Sequence, residues 1–166
     1  NPDGTTFCQI NSGTVGNVAG KRIYICPTDA RYTGGTLPSG DNVVIVKGNL
    51  TIEAQMTSLS ANSGLVFVVE GQVGGGITVL TAVDDIRGFF ITKGLFTDVD
   101  PSGYSGAQLK LTGSVIANDF AIGRILGAPL NNVTTPAEDF AYSLRYLGVF
   151  SNILGVPGIS WKEVAP

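Results

Sequence analysis

Histidine is absent from all 166 residues. Serine–histidine–aspartate triads, the common zinc sites and most imidazole acid/base schemes are thereby excluded. Charge is sparse too: Asp, Glu, Lys and Arg make up 14% of the chain, against a usual ~25%. The ten Lys and Arg are scattered and the net charge is −3, so the electrostatic footprint of a nucleic-acid binder is missing. No run approaches the ~18 to 20 apolar residues that span a bilayer as a helix, and no membrane-spanning segment is expected in this chain. The chain opens on neither Met nor a signal peptide. Its start, "NPDGTTFCQI", is the one expected of a processed, exported protein or of a piece of a longer one.

Cysteine is limited to Cys8 and Cys26. Neither has a histidine to activate it, so a thiol nucleophile is not expected. Two buried free thiols are one reading of the pair and a disulfide is the other. The low charge and the non-Met start favour the disulfide, which would stabilise the fold by roughly 3 kcal/mol, mostly by restricting the unfolded chain.

What abounds is glycine, with 23 residues, beside an ordinary apolar fraction of 43%. Laid against its own glycines the chain reads "VVIVKGNLTI", "LVFVVEGQVG", "GFFITKGLFT" and "LKLTGSVIA", with anchors Gly48, Gly71, Gly94 and Gly113 spaced 23, 23 and 19 apart. Each unit is a β-branched or aromatic run, a glycine, a second alternating run and a polar stretch, which is strand, bend, strand, turn. Units this short leave no room for a crossover helix, so a βαβ sheet is not expected. Strands stacked in parallel, one repeat above the next, satisfy the pattern. The leucine and asparagine spacing of leucine-rich repeats is missing, and an antiparallel meander would not keep like strands in register.

The expected fold is therefore all-β: a right-handed parallel β-helix of about four to five coils. Residues 1–42 form an amino-terminal cap with a degenerate first coil, "KRIYICPT", residues 43–124 the repeats, and residues 125–166 a carboxyl-terminal cap and tail. Thr135, Pro136 and Glu138 read as N-cap, first helical residue and capping-box acid. With Phe140, Leu144 and Leu147 on one face, they predict a helix over 136–147 that covers the strand edge of the last coil. The end, "GVPGISWKEVAP", is expected to be extended and holds the single tryptophan, Trp161.

The stretches "GNLTI", "LTGSVIANDFAIGR", "PAEDFAY" and "SWKEVAP" resemble a group of surface proteins from small-genome bacteria of the candidate phyla radiation. These carry a β-helical region, an Arg, a PAExFxY segment and a terminal WxEVAP. The resemblance covers roughly Val43 to Pro166. It implies a cell-surface or pilus-associated location and supplies no catalytic residues; residues 1–42 depart from it.

Candidate chemistry is thin. A paired-carboxylate glycosidase site would draw on Asp84, Asp85, Asp98, Asp100 and Asp119, but adjacent Asp84 and Asp85 would face opposite sides of a strand. "DVDPSGY" opens like a calcium loop, with Asp98, Asp100 and Ser102 at alternate positions and Tyr104 offering its carbonyl. Its twelfth position is Leu109 instead of an acid, and the competing reading is a polar turn set by Asp100 and Pro101. Asn49 and Asn132 fit the N-glycosylation pattern, which in a bacterial chain arises by chance. Tyr32, Tyr104, Tyr142 and Tyr146 could meet sugars or a partner, though core packing explains such residues as well. Apart from that calcium loop no cofactor is expected. The functional expectation is a non-enzymatic extracellular structural protein: a homo-oligomeric subunit of a filament, pilus-like appendage or surface layer, joined through a tail contact at Trp161 and Val164. The alternative is an adhesin that holds glycan or a host surface.

Overall fold

The structure, a computed structural model, describes residues 8–9, 16–18, 21–34, 40–56, 63–72, 74–99, 107–126 and 135–154. Its strands are β1 (Cys8–Gln9), β2 (Gly16–Val18), β3 (Lys21–Cys26), β4 (Ala30–Tyr32), β5 (Asp41–Val46), β6 (Leu50–Ile52), β7 (Gly64–Val69), β8 (Gly76–Val79), β9 (Asp85–Thr97), β10 (Leu109–Ala121) and β11 (Glu138–Tyr142). One helix, α1 (Arg145–Leu154), follows. All the strand pairs are parallel except β2 with β3.

The strands form a β-solenoid of about three turns. Its first side stacks β3, β5, β7, Phe89–Thr92 of β9 and Ser114–Ala117 of β10, five rungs in all. The second side stacks β1, β4, β6, β8 and the ends of β9 and β10. The third begins where the Met56 N–H donates to the Asp85 carbonyl, and continues through the starts of β9 and β10 to β11. Complete three-sided turns are thus fewer than the four to five coils expected, although the first side has five rungs, because the third side exists only in the later part of the chain.

Period-2 alternation sends one set of side chains inward on every rung. Tyr24, Val44, Phe67, Phe90 and Val115 make one inward ladder, and Ala30, Leu50, Ile77, Phe96 and Phe120 another. The Phe67 and Phe90 rings stack with centroids 5.2 Å apart. Each buried large apolar side chain in these ladders contributes roughly 1.5–3 kcal/mol. Stacking like upon like is what the repeat encodes.

The register corrects one glycine. Gly48, Gly71 and Gly94 follow the first-side strands at the corner leading to the second side. Gly113 instead pairs with Gly88, between the third side and the first, both with positive φ. The interval of 19 was thus measured between different corners. Between equivalent residues, Ile45, Val68, Ile91 and Ile116, the intervals are 23, 23 and 25. In the last rung Asn118 alone faces both Lys93 and Gly94.

The helix expected over 136–147 is corrected too. Glu138–Tyr142 is strand β11, which stacks Phe140 on Leu111, and the Glu138 carboxylate accepts from the Arg124 N–H at 2.8 Å. Pairing with an unfilled strand edge outweighs a local helix signal. The actual helix, α1, does not cover that edge. It lies on the outer face of the first side, where Tyr146 and Val149 bury Val43, Val66 and Phe89.

Candidate functional site

Among the described residues, nothing continues the carboxyl-terminal end of the solenoid. Three inward ladders stop there: Phe67–Phe90–Val115, Ile77–Phe96–Phe120 and Ile86–Leu111–Phe140. One rung below, Phe90, Phe96 and Leu111 are buried to within 1% of full burial, whereas Phe120 is 46% exposed and Phe140 44%. Phe120 tilts against Phe96, with centroids 6.1 Å apart. With Val115, Ile122 and Tyr142 these rings line a shallow apolar depression floored by Gly113 and Ser114.

Beside the depression, β10 offers bare backbone. Leu109–Gly113 is paired on both sides, by β9 and β11, but Ser114–Ala121 pairs only with β9 among the described residues. Edge strands are usually blunted by Lys, Pro or inward charges. "SVIANDFA" contains no Lys, Arg or Pro. It is interrupted at the register shift at Asn118, and next to it the Asp119 carboxylate accepts from the Phe120 N–H at 2.8 Å.

The end is held rigid from below by Arg124. Its guanidinium is wholly buried against Asp98, Nε to Oδ2 at 3.1 Å. The other nitrogens donate to the carbonyls of Leu80 at 3.1 Å and of Thr81 and Ala107 at 3.4 Å. The Gly123 N–H donates to the other Asp98 oxygen at 3.1 Å. One side chain thus pins successive coils together. Burial lowers the Arg124 pKa while Asp98 opposes the shift; burial raises that of Glu138.

A second, polar groove runs along the corner after the first side. Glu70, Gln72, Lys93, Asn118 and Asp119 border a floor of glycines. Lys47 and Glu70, on adjacent rungs, form an ion pair, and this contact lowers the Glu70 pKa, with Lys93 adding to it from the next rung.

The residues singled out from sequence scatter. Asp98 has both carboxylate oxygens engaged, one by the Arg124 guanidinium and one by the Gly123 N–H, which makes it half of the clamp. Asp100, Ser102 and Tyr104 lie outside the described residues, as do Asn132, Trp161 and Val164. No group of three or more acids and cysteines suited to a metal occurs among the described residues. Asp85 is bound bidentately by Arg87 at 3.1 and 2.9 Å, Asp84 borders a shallow depression with Lys110, and Asp119 sits at the far corner. Cys8 is placed by its backbone in β1, opposite Ala30, and Cys26 is buried in the core. Asn49 is built into the corner, its side-chain oxygen accepting from the Gln72 N–H at 3.1 Å. Tyr32 and Tyr146 are buried, Tyr142 is exposed at the open end. Among the described residues no helix is long and apolar enough to cross a membrane.

Comparison with protein-family models, curated proteins and solved structures returns no match to this chain. The sequence reading missed the clamp and the open platform. A lone arginine just after the last repeat was the available signal for the first. The second was hidden by the helix assigned over 136–147.

Proposed function

We propose that the protein is a non-enzymatic structural subunit of an extracellular filament, pilus-like appendage or surface layer. The observation that carries this reading is the carboxyl-terminal end, where, among the described residues, the core ladders stop at half-exposed Phe120 and Phe140 beside a strand segment paired on one side only. A monomeric solenoid needs a polar cap at such an end, and an unguarded edge is otherwise an aggregation site. An end used for assembly needs no cap. The resemblance of the tail to bacterial surface proteins supports the cell-surface location. A right-handed path, the usual hand of parallel crossovers, and a Cys8–Cys26 disulfide belong to the same reading. Sedimentation and electron microscopy of the full chain at rising concentration test it: ordered assemblies are expected, and a persistent monomer overturns it.

The second reading, an adhesin, is favoured by the corner groove. Glu70, Gln72, Lys93, Asn118 and Asp119 supply amide, carboxylate and ammonium groups of the kind that bind sugar hydroxyls. A monomer that retains a glycan, and loses it on Gln72→Ala, would support this alternative.

A further inference from the structure

We propose that the open end is the seat of residues 158–164 of a neighbouring copy, which add to β10 as a further parallel rung. This rests on the subunit reading above and names the joint. Residues 155–166 lie outside the described structure, so the argument comes from the seat, from the spacing of the tail residues and from where α1 ends.

The seat has an unusual spacing. In the rungs below, the inward residues around the corner are Val44, Val46 and Leu50, then Phe67, Val69 and Ile77, then Phe90, Thr92 and Phe96. The third follows the second by four positions in the first and last of these and by eight in the middle one, never by fewer than four. In the last rung they are Val115, Ala117 and Phe120, a step of two and then three, because Asn118 replaces a pair of residues at the corner. The tail "GISWKEV" repeats this compressed step: Ile159, Trp161 and Val164 each lie 44 residues after Val115, Ala117 and Phe120.

The remaining positions agree. Lys162 and Glu163 fall at the solvent corner, over Asn118 and Asp119. Trp161 falls over Ala117, the smallest inward side chain of the rung and next to Phe120. Pro157 falls over Gly113, where β11 already occupies the edge. A proline has no N–H to give a ladder and is tolerated at the start of a strand. The added strand therefore begins where the free edge begins.

The donor is a neighbour because α1 carries the chain away from the open end. Tyr146, near the start of α1, shares a cluster with Phe89 and feels the charges of Arg87 and Asp85 of β9, the fourth rung. Val149 sits over Gly64 at the start of β7, the third rung, and α1 as a whole crosses the face of β10, β9, β7, β5 and β3, so the order Tyr146 then Val149 sets its direction toward β5 and β3. Five more residues of helix advance ~7.5 Å, about one and a half rungs of ~4.8 Å. From there to a strand beyond β10 is four rungs or more, at least ~19 Å along the axis alone. The five steps from Leu154 to Ile159 span at most ~18 Å fully extended, with a detour around the sheet still to make. In a head-to-tail stack, by contrast, the next copy's open end lies at the side toward which α1 runs. Such a contact is heterologous and propagates, with strand addition supplying the main-chain bonds.

The test uses full-length single variants. Ile116 is 56% exposed and faces outward, and in this register it sits opposite Ser160. Ile116→Cys mixed with Ser160→Cys, assembled and mildly oxidised, is expected to give covalent dimers at least about tenfold above Ile116→Cys mixed with Lys162→Cys, since a two-residue slip separates the Cα atoms beyond disulfide reach. Trp161, the single tryptophan, should shift its emission to the blue on assembly, and Val164→Asp should abolish that shift while the far-ultraviolet strand spectrum is unchanged. Ordered assembly with equal cross-linking in and out of register, or with unshifted emission, overturns the seat and leaves the subunit reading standing. A chain that stays monomeric overturns both.

Discussion

Asp98 Oδ2 and Arg124 Nε meet at 3.1 Å with both side chains wholly withdrawn from solvent. Asp98→Ala would strand the guanidinium as a buried unpaired charge, and a loss of about 3–5 kcal/mol is expected. Replacing both, as Asp98→Leu with Arg124→Leu, is expected to cost less than the single change because no orphan charge remains. Urea unfolding of the three chains measures this. A double variant less stable than Asp98→Ala would show that the carbonyl bonds of Arg124 outweigh its charge pairing.

At Gly94 a side chain has nowhere to go: a Cβ there would lie 1.9 Å from the Gly75 carbonyl oxygen. Gly94→Val is expected to cost at least about 1–3 kcal/mol through forced backbone strain. In contrast, nothing lies within 4 Å of a Cβ at Gly148 in α1, and Gly148→Ala should stabilise by about 0.5–1 kcal/mol. Equal melting temperatures for the two variants would refute the packing of that corner.

Glu138 provides a pH signature. Burial holds its carboxyl above the ordinary range, assisted by Asp98 and opposed by the bond from the Arg124 N–H and by the Arg124 charge. The folded chain therefore binds this proton more tightly than the unfolded one. The associated stability is complete below the unfolded-state pKa and is lost as pH rises through the folded-state value. Glu138→Gln keeps an acceptor for the Arg124 N–H and removes the titration. From mildly acidic to neutral pH, wild-type stability should fall relative to the variant. Parallel melting curves across that window would contradict the assignment.

For the cysteines, oxidised protein should weigh about 2 Da less than the fully reduced chain, two hydrogens being lost per disulfide. Labelling of unfolded, unreduced protein should find no thiol, and reduction should lower the melting temperature. Stoichiometric labelling of Cys8 and Cys26 without reduction would return the pair to free thiols.

Much of the architecture was legible because stacking imposes identity: Ile45, Val68 and Ile91 recur at 23 residues since each must sit on the last. The third side was not legible, as Met56, Ile86 and Leu111 belong to coils of different length and no fixed spacing links them. Nor was β11, because "PAEDFAY" satisfies a helix start locally and becomes a strand only when Leu109–Gly113 presents an edge. Of the candidate site, the sequence showed its pieces: Arg124, Phe120 and Phe140. That an end of the core stands open depends on which rung is last, and periodicity alone does not say where a stack stops.

The corner charges give the stack a parity. Lys47, Glu70 and Lys93 occupy successive rungs with alternating sign. Excising the single 23-residue coil that carries Glu70 would set lysine upon lysine, although every apolar ladder would still find a hydrophobic neighbour. Excising two would leave no such clash to report the loss. The hydrophobic interior can count only whether a rung is present. The solvent-side charges distinguish odd from even, so chains of this type should gain or lose coils more readily in pairs than singly.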